Sequence, residues 1–317
     1  MERRLHIWSK LEHHWSIQLL VHSIRLIEAL EAGMRSMRVL WVGLAIALLG
    51  SPFGFLSKAV AQNEEAGSVE LIDPKVLRVC ADPRDLPFSN EAGEGFENKI
   101  AVLLADKLGK SLAYEFYPNT TGFVRNTLNA HRCDVIMGMP QGDDIVQGTN
   151  PYYRTGYALV FRQGSGLETV ESLEDPRLKD KRIGIIAGTP PASNLAHEGL
   201  LGNIKSYPLV VDTRVDSPTT TMMEDLEAGR IDVAILWGPI AGYLAKGAKE
   251  PAKVTLLVKE TVGPRMIYRI GMGVRHTDQE WKRLLNKLIA ENQDAINRIL
   301  TDYGVPLLDE NNRPLVP

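Results

Sequence analysis

Cysteine is almost missing from this chain. Only Cys80 and Cys133 occur, so no zinc centre can be built from paired cysteines. An excess of charge of one sign is missing as well. The net charge is −3, and no basic cluster interleaved with aromatics marks a nucleic-acid surface. No internal repeat or low-complexity run appears, and no apolar run reaches the roughly 20 residues of a membrane span. Catalytic motifs recognisable by spacing are absent too. His197-Glu198 continues into Gly199-Leu200-Leu201, with no second zinc-ligating histidine. Gln163 and Leu167 stand where a nucleophile elbow around Ser165 needs glycine, and there is no P-loop. Four of the seven histidines lie before residue 34, in no metal-binding spacing. Acid–base chemistry is left to Asp82 with Asp85, or to Asp143-Asp144, and aspartates in Gly/Pro-rich loops are mostly turn residues. The chain therefore shows no metal site of its own and does not read as an enzyme.

What is present starts with an export pattern. Residues 34–61 combine a basic segment, Met34-Arg35-Ser36-Met37-Arg38, with the apolar run Val39 to Leu49 and the small-residue triplet Ala59-Val60-Ala61. That order is a secretory signal peptide, cleaved before Gln62, and it places the mature protein in the periplasm. An uncleaved anchor is the rival reading. Residues 1–33 read as an extension outside the fold, disordered or upstream of a start at Met34 or Met37. Residues 62–74 are polar and acidic and are expected to form a mobile tail.

The mature part, about 255 residues, suits one large domain or two small ones. Its organising stretch runs from Val76 to Gly109. A short apolar run, Val76 to Ala81, leads into a Pro-punctuated loop. A helix follows in which Phe96, Ile100, Leu103, Leu104 and Leu108 recur on one face. Gly109 stands where a left-handed C-cap belongs. The run Leu112 to Tyr117 then completes a βαβ unit, whose ligand site is expected at the loop Asp82 to Gly95, beyond the strand ends. Downstream, a short helix face (Phe123, Val124, Thr127, Leu128) precedes a buried strand, Cys133 to Gly138. Further strands are expected at Tyr157–Arg162, Lys181–Ile186, Leu209–Val211, Asp232–Trp237 and Met266–Val274. Thr189 is expected to cap a helix opened by Pro190, and a helix over Thr219–Ala228 turns Met222, Met223 and Leu226 inward. One long amphipathic helix is expected from Asp278 to Tyr303. A bond between Cys80 and Cys133 would close a long loop, but aligned strands would set the two far apart, so disulfide and buried thiols both remain open.

The order R-V-C-A-D-P, P-F-S-N, G-F-E-N, C-D-V-I-M-G, P-Y-Y-R-T-G-Y, I-G-I-I-A-G-T-P and G-R-I-D-V-A-I-L-W-G-P resembles the type II periplasmic solute-binding proteins. The resemblance spans Lys75 to about Leu308. It implies two doubly wound α/β lobes joined by two crossing strands, near Tyr157–Gln163 and Pro264–Gly271, with a cleft between. Lobe one would comprise residues 75–162 and 270–308, lobe two residues 163–269, and residues 309–317 a C-terminal tail. Amino-acid receptors of this type carry an Arg after the third strand to fork onto the ligand carboxylate, and an Asp for the ammonium. Here the stretch Gly138 to Gln147 has no Arg, and Trp237 occupies the Asp position. A zwitterion would leave both its charges unpaired in such a cleft.

The cleft residues read from this likeness are Asp82, Arg84, Phe88, Met139, Tyr152, Tyr153 and Arg154 from lobe one, and Thr189, Trp237 and Tyr243 from lobe two. Trp, Tyr and Arg are hot-spot types at protein interfaces, although Tyr152 or Met139 would serve equally well as core. The motifs L-P-F-S-N, G-E-G-F-E-N-K-I-A, G-F-V-R-N-T-L and P-Y-Y-R are similar to the accessory family associated with quinoprotein alcohol dehydrogenases (MxaJ/XoxJ-type) of methanol oxidation. That likeness implies a protein partner: a methanol dehydrogenase carrying pyrroloquinoline quinone (PQQ) and a metal ion, either calcium or a lanthanide. This chain would bind no cofactor and would help the partner mature or become active. The alternative is a receptor that hands a small non-amino-acid ligand to an ABC permease. Arg84, Arg154 or the helix at Thr189 would then meet an anion.

Overall fold

The computed structural model describes residues 70–209, 211 and 216–315. The expected extension, signal peptide and most of the tail lie outside the described residues. Among these residues no helix is long and apolar enough to cross a membrane.

The organising stretch folds as its periodicity predicts. Strand β1 (Val76–Ala81) leads through the small hairpin β2 (Arg84–Asp85) and β3 (Ser89–Asn90) into helix α1 (Phe96–Leu108). Phe96, Ile100 and Leu104 are wholly buried, each contributing about 1.5–3 kcal/mol of apolar burial. The helix begins where it does because Asn98 accepts hydrogen bonds from the backbone N–H groups of Gly95 and Asn90, at 3.1 and 3.0 Å. Residue 95 must be glycine, since a Cβ there would lie 2.0 Å from the Phe88 carbonyl oxygen. Gly109 closes the helix at φ 63°, the expected left-handed cap. Strand β4 (Ser111–Phe116) then pairs parallel with β1.

Helix α2 (Phe123–Asn126) is a single turn, and β5 (Val135–Pro140) and β6 (Gln147–Gly148) follow. Strand β7 (Tyr153–Arg162) leads to β8 (Ile183–Ile186), helix α3 (Pro191–His197) and β9 (Ile204–Tyr207). The strand expected at Leu209–Val211 therefore lies earlier, and Pro208, which lacks an N–H, ends it. Helix α4 (Pro218–Glu227) buries Met222, Met223 and Leu226 as expected. Strand β10 (Val233–Trp237) runs straight into helix α5 (Gly238–Lys246), followed by β11 (Ala252–Leu256) and β12 (Ile267–Val274).

The single helix expected from Asp278 is two, α6 (Gln279–Glu291) and α7 (Gln293–Asp302). Asn292 falls on the stripe that buries Leu285, Leu288, Ile296 and Leu300. Its backbone leaves the helix at ψ 16°, and its carboxamide donates to the Leu288 carbonyl at 2.8 Å. The break satisfies a polar side chain on a face meant for apolar ones. The chain before β1 is tied down at its end: the Glu70 carboxylate accepts from the Trp281 N–H at 3.0 Å, at the start of α6. After α7 the chain folds back, with Leu308 bridging Pro314.

The main sheet has the order β4-β1-β5-β12-β7-β10-β8-β9, with β11 on β7 and β6 on β12. The two halves of β7 serve different sheets. Tyr153 to Gly156 pair with β12, whereas Tyr157 to Val160 pair with β10. Strands β7 and β12 are the shared elements between the halves. At the switch a Cβ on Gly156 would meet the Met266 carbonyl oxygen at 2.6 Å, so only glycine lets the two strands approach there. One core packs α1, α6 and α7 on β1, β5 and β12, and two further cores cover the two faces of β7, β8 and β10.

Cys80 and Cys133 are joined in a disulfide with Cα atoms 5.4 Å apart. Cys133 is not at the foot of a strand. It lies in the turn before β5, which brings it into the small cluster of Phe123, Leu128 and Ile136 that also holds Cys80.

Candidate ligand cleft

At the carboxyl ends of β1 and β5 lies a cavity of about 640 Å3. Asp82 at the end of β1, Asp85 and Phe88 of the hairpin, Glu97 of α1, Met139 of β5, Tyr153 of β7 and Ile270 of β12 line it. Trp237, at the end of β10, closes it from the other half. A second cavity of about 370 Å3 adjoins it, lined by Arg84, Tyr157, Ile186, Thr189 and Leu236. Asp85 and Trp237 border both cavities, so together these form one cleft divided at those two side chains.

Two carboxylates dominate its electrostatics. Glu97 sits in the first turn of α1, where the helix end favours an anion, yet burial and then the neighbouring Asp85 push its pKa up to about 8. Its carboxylate takes the space above Gly138: a Cβ at residue 138 would lie 2.2 Å from Glu97 Oε1. Asp85 rises to about 6 through burial and then the charge of Asp82, with an Asn119 side-chain hydrogen bond opposing. Asp82 itself builds the loop. Its carboxylate accepts from the N–H groups of Arg84 at 2.7 Å and Asn119 at 2.6 Å.

The opposite wall is aromatic. The Trp237 indole lies edge-on to Tyr157 at 5.3 Å and to Tyr268 at 5.6 Å. Phe88 packs on Phe96 at 5.2 Å. Tyr153 is 7% exposed and shows an edge to Phe96 at 6.2 Å, and burial holds its hydroxyl well above the ordinary phenol value.

Several residues expected in the cleft stand elsewhere. Tyr152 is 1% exposed, lines neither cleft cavity and donates its hydroxyl to the Met137 carbonyl at 2.9 Å; it is core. Arg154 follows Tyr153 on a strand and so points to the other face. There it donates to the Glu310 carbonyl at 3.3 Å, lies opposite Arg269, and borders a separate cavity of about 710 Å3. Burial and then Arg269 hold its guanidinium below its ordinary value. Tyr243, six residues beyond Trp237 along α5, stacks on Tyr303 at 6.4 Å and borders an outer groove. Thr189 lines the smaller cavity but caps nothing: its hydroxyl donates to the Ile186 carbonyl at 2.6 Å, and Pro190 precedes a helix of seven residues. Asp82, Phe88, Met139, Tyr153 and Trp237 do converge, and Arg84 stands exposed at the mouth of the smaller cavity.

Glu97 and Tyr157 are among the cleft residues that sequence reasoning missed. Glu97 falls on the polar face of α1, where periodicity predicts solvent. The signal was its position in the first turn after the ligand loop. Among the described residues, no group of three or more His, Cys, Asp or Glu side chains is arranged to hold a metal.

The model of the bacterial extracellular solute-binding proteins, family 3, matches residues 77–305. The chain belongs to that family. It is 32% identical over 262 residues to Protein MoxJ of Paracoccus denitrificans, a match covering 76% of this chain and 92% of that one. Among solved structures, the periplasmic binding protein XoxJ from Methylobacterium extorquens AM1 is similar at 44% identity and a TM-score of 0.64. That match covers 74% of this chain and 100% of the other. MxaJ from Methlophaga aminisulfidivorans MPT is similar at 28% identity and a TM-score of 0.63, over 73% of this chain and 100% of that one.

The architecture is thus that of a type II periplasmic binding protein, two α/β lobes about a cleft. In this family-3 solute-binding protein the cleft is poor in cations. Of the side chains lining the larger cavity only Arg125 is basic, and it is exposed. A carboxylate ligand would meet Asp85 and Glu97 with no guanidinium set deep enough to offset them. The site is built to hold apolar surface against rings, beside the acids Asp82, Asp85, Glu97 and Asp143.

Proposed function

We propose that this chain is a periplasmic accessory factor of methanol oxidation, which binds a PQQ-dependent alcohol dehydrogenase and helps it mature or become active. The observation that carries the reading is the likeness to XoxJ, 44% identity along the whole of that chain. The cleft supports it from the chemical side. Trp237, Tyr157 and Tyr153 present the ring surface that anchors a protein segment, and no buried cation equips the cleft for the carboxylate of an amino acid. The PQQ and its metal belong to the partner, and this chain contributes binding without catalysis. On this reading residues 34–61 act as a cleaved signal peptide, and the mature chain begins near Gln62.

A second reading, a receptor feeding a small ligand to a permease, is favoured by one feature: the larger cavity has the volume of an ordinary small-molecule pocket. Capture from periplasmic extract by the chain starting at Gln62 separates the two. Recovery of a quinoprotein dehydrogenase, weakened about thirtyfold by Trp237→Ala, is the expected result, since an aromatic anchor contributes about 2 kcal/mol or more. A blank capture with a co-purifying metabolite moves the function to the permease reading. Undiminished capture by the Trp237 variant removes the anchor.

A further inference from the structure

We infer that the cleft receives a cationic group, an alkylammonium or guanidinium on an apolar stem and without a carboxylate of its own, seated between Asp85 and Glu97 and walled by Phe88, Tyr153 and Trp237. The inference rests on how this chain treats its other enclosed acids. Asp134 is met by Arg78 and Arg275, each at 2.7 Å, and Asp225 by Lys205, Arg230 and the Tyr207 hydroxyl. Asp278 faces Arg275 at 2.6 Å. Glu97 alone among these has neither a cation nor a hydrogen-bond donor from the described residues, and its nearest charged neighbour is another acid.

An ionised acid that no cation meets is costly once part of its water is removed, and the protein carries two such half-buried acids on one cavity wall, Glu97 with no partner and Asp85 with only the Asn119 side chain. Burial raises both carboxyls, as an unmet demand for positive charge requires. The remaining wall is the kind that receives a cation: aromatic rings attract positive charge, and Met139 and Ile270 cover a hydrocarbon stem. An anion would face the acids directly, and a free amino acid would bring a carboxylate with only the exposed Arg125 and Arg84 to meet it.

Two sources share this chemistry: a lysine or arginine side chain on a segment of the partner, and a free amine. The first deepens the accessory reading and rests on it; the second does not. The test is calorimetry and thermal melting of the mature chain with butylammonium chloride, N-acetyl-lysine amide, free lysine and sodium butanoate. Both cations without a carboxylate are expected to bind and raise the melting temperature, and butanoate and free lysine to bind at least tenfold more weakly. Glu97→Gln and Asp85→Asn, shown folded by circular dichroism, should each weaken butylammonium at least tenfold. Absence of binding by both carboxylate-free cations up to about 10 mM, or unchanged binding in both folded variants, overturns the inference. Dehydrogenase capture on the same variants separates the sources. Capture displaced by butylammonium and lost in Glu97→Gln assigns the cation to the partner. A cleft that binds butylammonium but captures no dehydrogenase leaves the cation site standing and removes the accessory reading.

Discussion

The two ends of the lobe-one sheet treat negative charge in opposite ways. At the amino end, just before β5, Asp134 is 1% exposed and saturated. Arg78 binds it through two nitrogens, Arg275 adds a third contact, and the Trp281 indole donates to its backbone carbonyl at 3.0 Å. At the carboxyl end, Asp85 and Glu97 line a cavity with no such partners. The same fold, within one sheet, shows that it can neutralise a buried acid when the acid serves only structure. Where it leaves acids unmatched, the free charge belongs to whatever enters the cleft.

The sharpest way to break this contrast is at the matched end. Asp134→Ala leaves Arg275, 5% exposed, with part of its charge uncompensated. The variant should lose about 3–5 kcal/mol in urea unfolding, much of the stability of an ordinary domain. A loss below about 1 kcal/mol would mean the amino-end network is not structural, and the contrast would collapse.

Next in size is the disulfide between the two ends, which ties β1 to the turn before β5 across 53 residues of sequence. Replacing both Cys80 and Cys133 by alanine should cost about 4 kcal/mol by the loop-entropy estimate, read as a lower urea midpoint with an intact fold. If cation binding by Asp85 and Glu97 survives that loss, the cleft end is independent of the scaffold that positions it.

The smallest effect, opposite in sign, is at the unmatched end. Glu97 titrates near 8 in the folded protein and near 4.5 unfolded, so between those values the folded state holds more protons. Stability therefore falls as pH rises through that window, and Asp85 adds a similar fall between 3.8 and about 6. Glu97→Gln should flatten the melting temperature between pH 6 and 8, removing a fall on the order of 2 kcal/mol across that interval. A variant with an unchanged pH profile would show Glu97 to be solvated, and would remove the main difference between the two ends.

Much of the fold was legible because it follows from local spacing. The face Phe96, Ile100, Leu104 with Gly109 behind it specifies α1 and where it ends, and Met222, Met223 and Leu226 specify the inner face of α4. Where spacing is not the deciding factor, the reading failed. A polar Asn292 on an apolar stripe breaks a helix that periodicity carries through. Thr189 has two places for its hydroxyl, and the strand carbonyl of Ile186 wins over a helix end. The disulfide stayed open because strand alignment misplaces Cys133, which a turn lifts towards Cys80. Arg154 and Tyr153 are neighbours in sequence but lie on opposite sides of a strand, and which side meets the cleft depends on the partner strand β12.

Local chemistry in the sequence alone determined most of the elements, the Gly109 cap and the βαβ start with its ligand loop, while the resemblance to amino-acid receptors implied the loss of their Arg and Asp. The tertiary structure decided which side chains share a cavity, because Asp85, Glu97, Tyr153, Trp237 and Ile270 meet only when separate strands end side by side. It also decided the charge state of that cavity. The affinity of Glu97 for its proton is set by the water and counter-charges that packing removes or supplies, and no spacing along a chain records that.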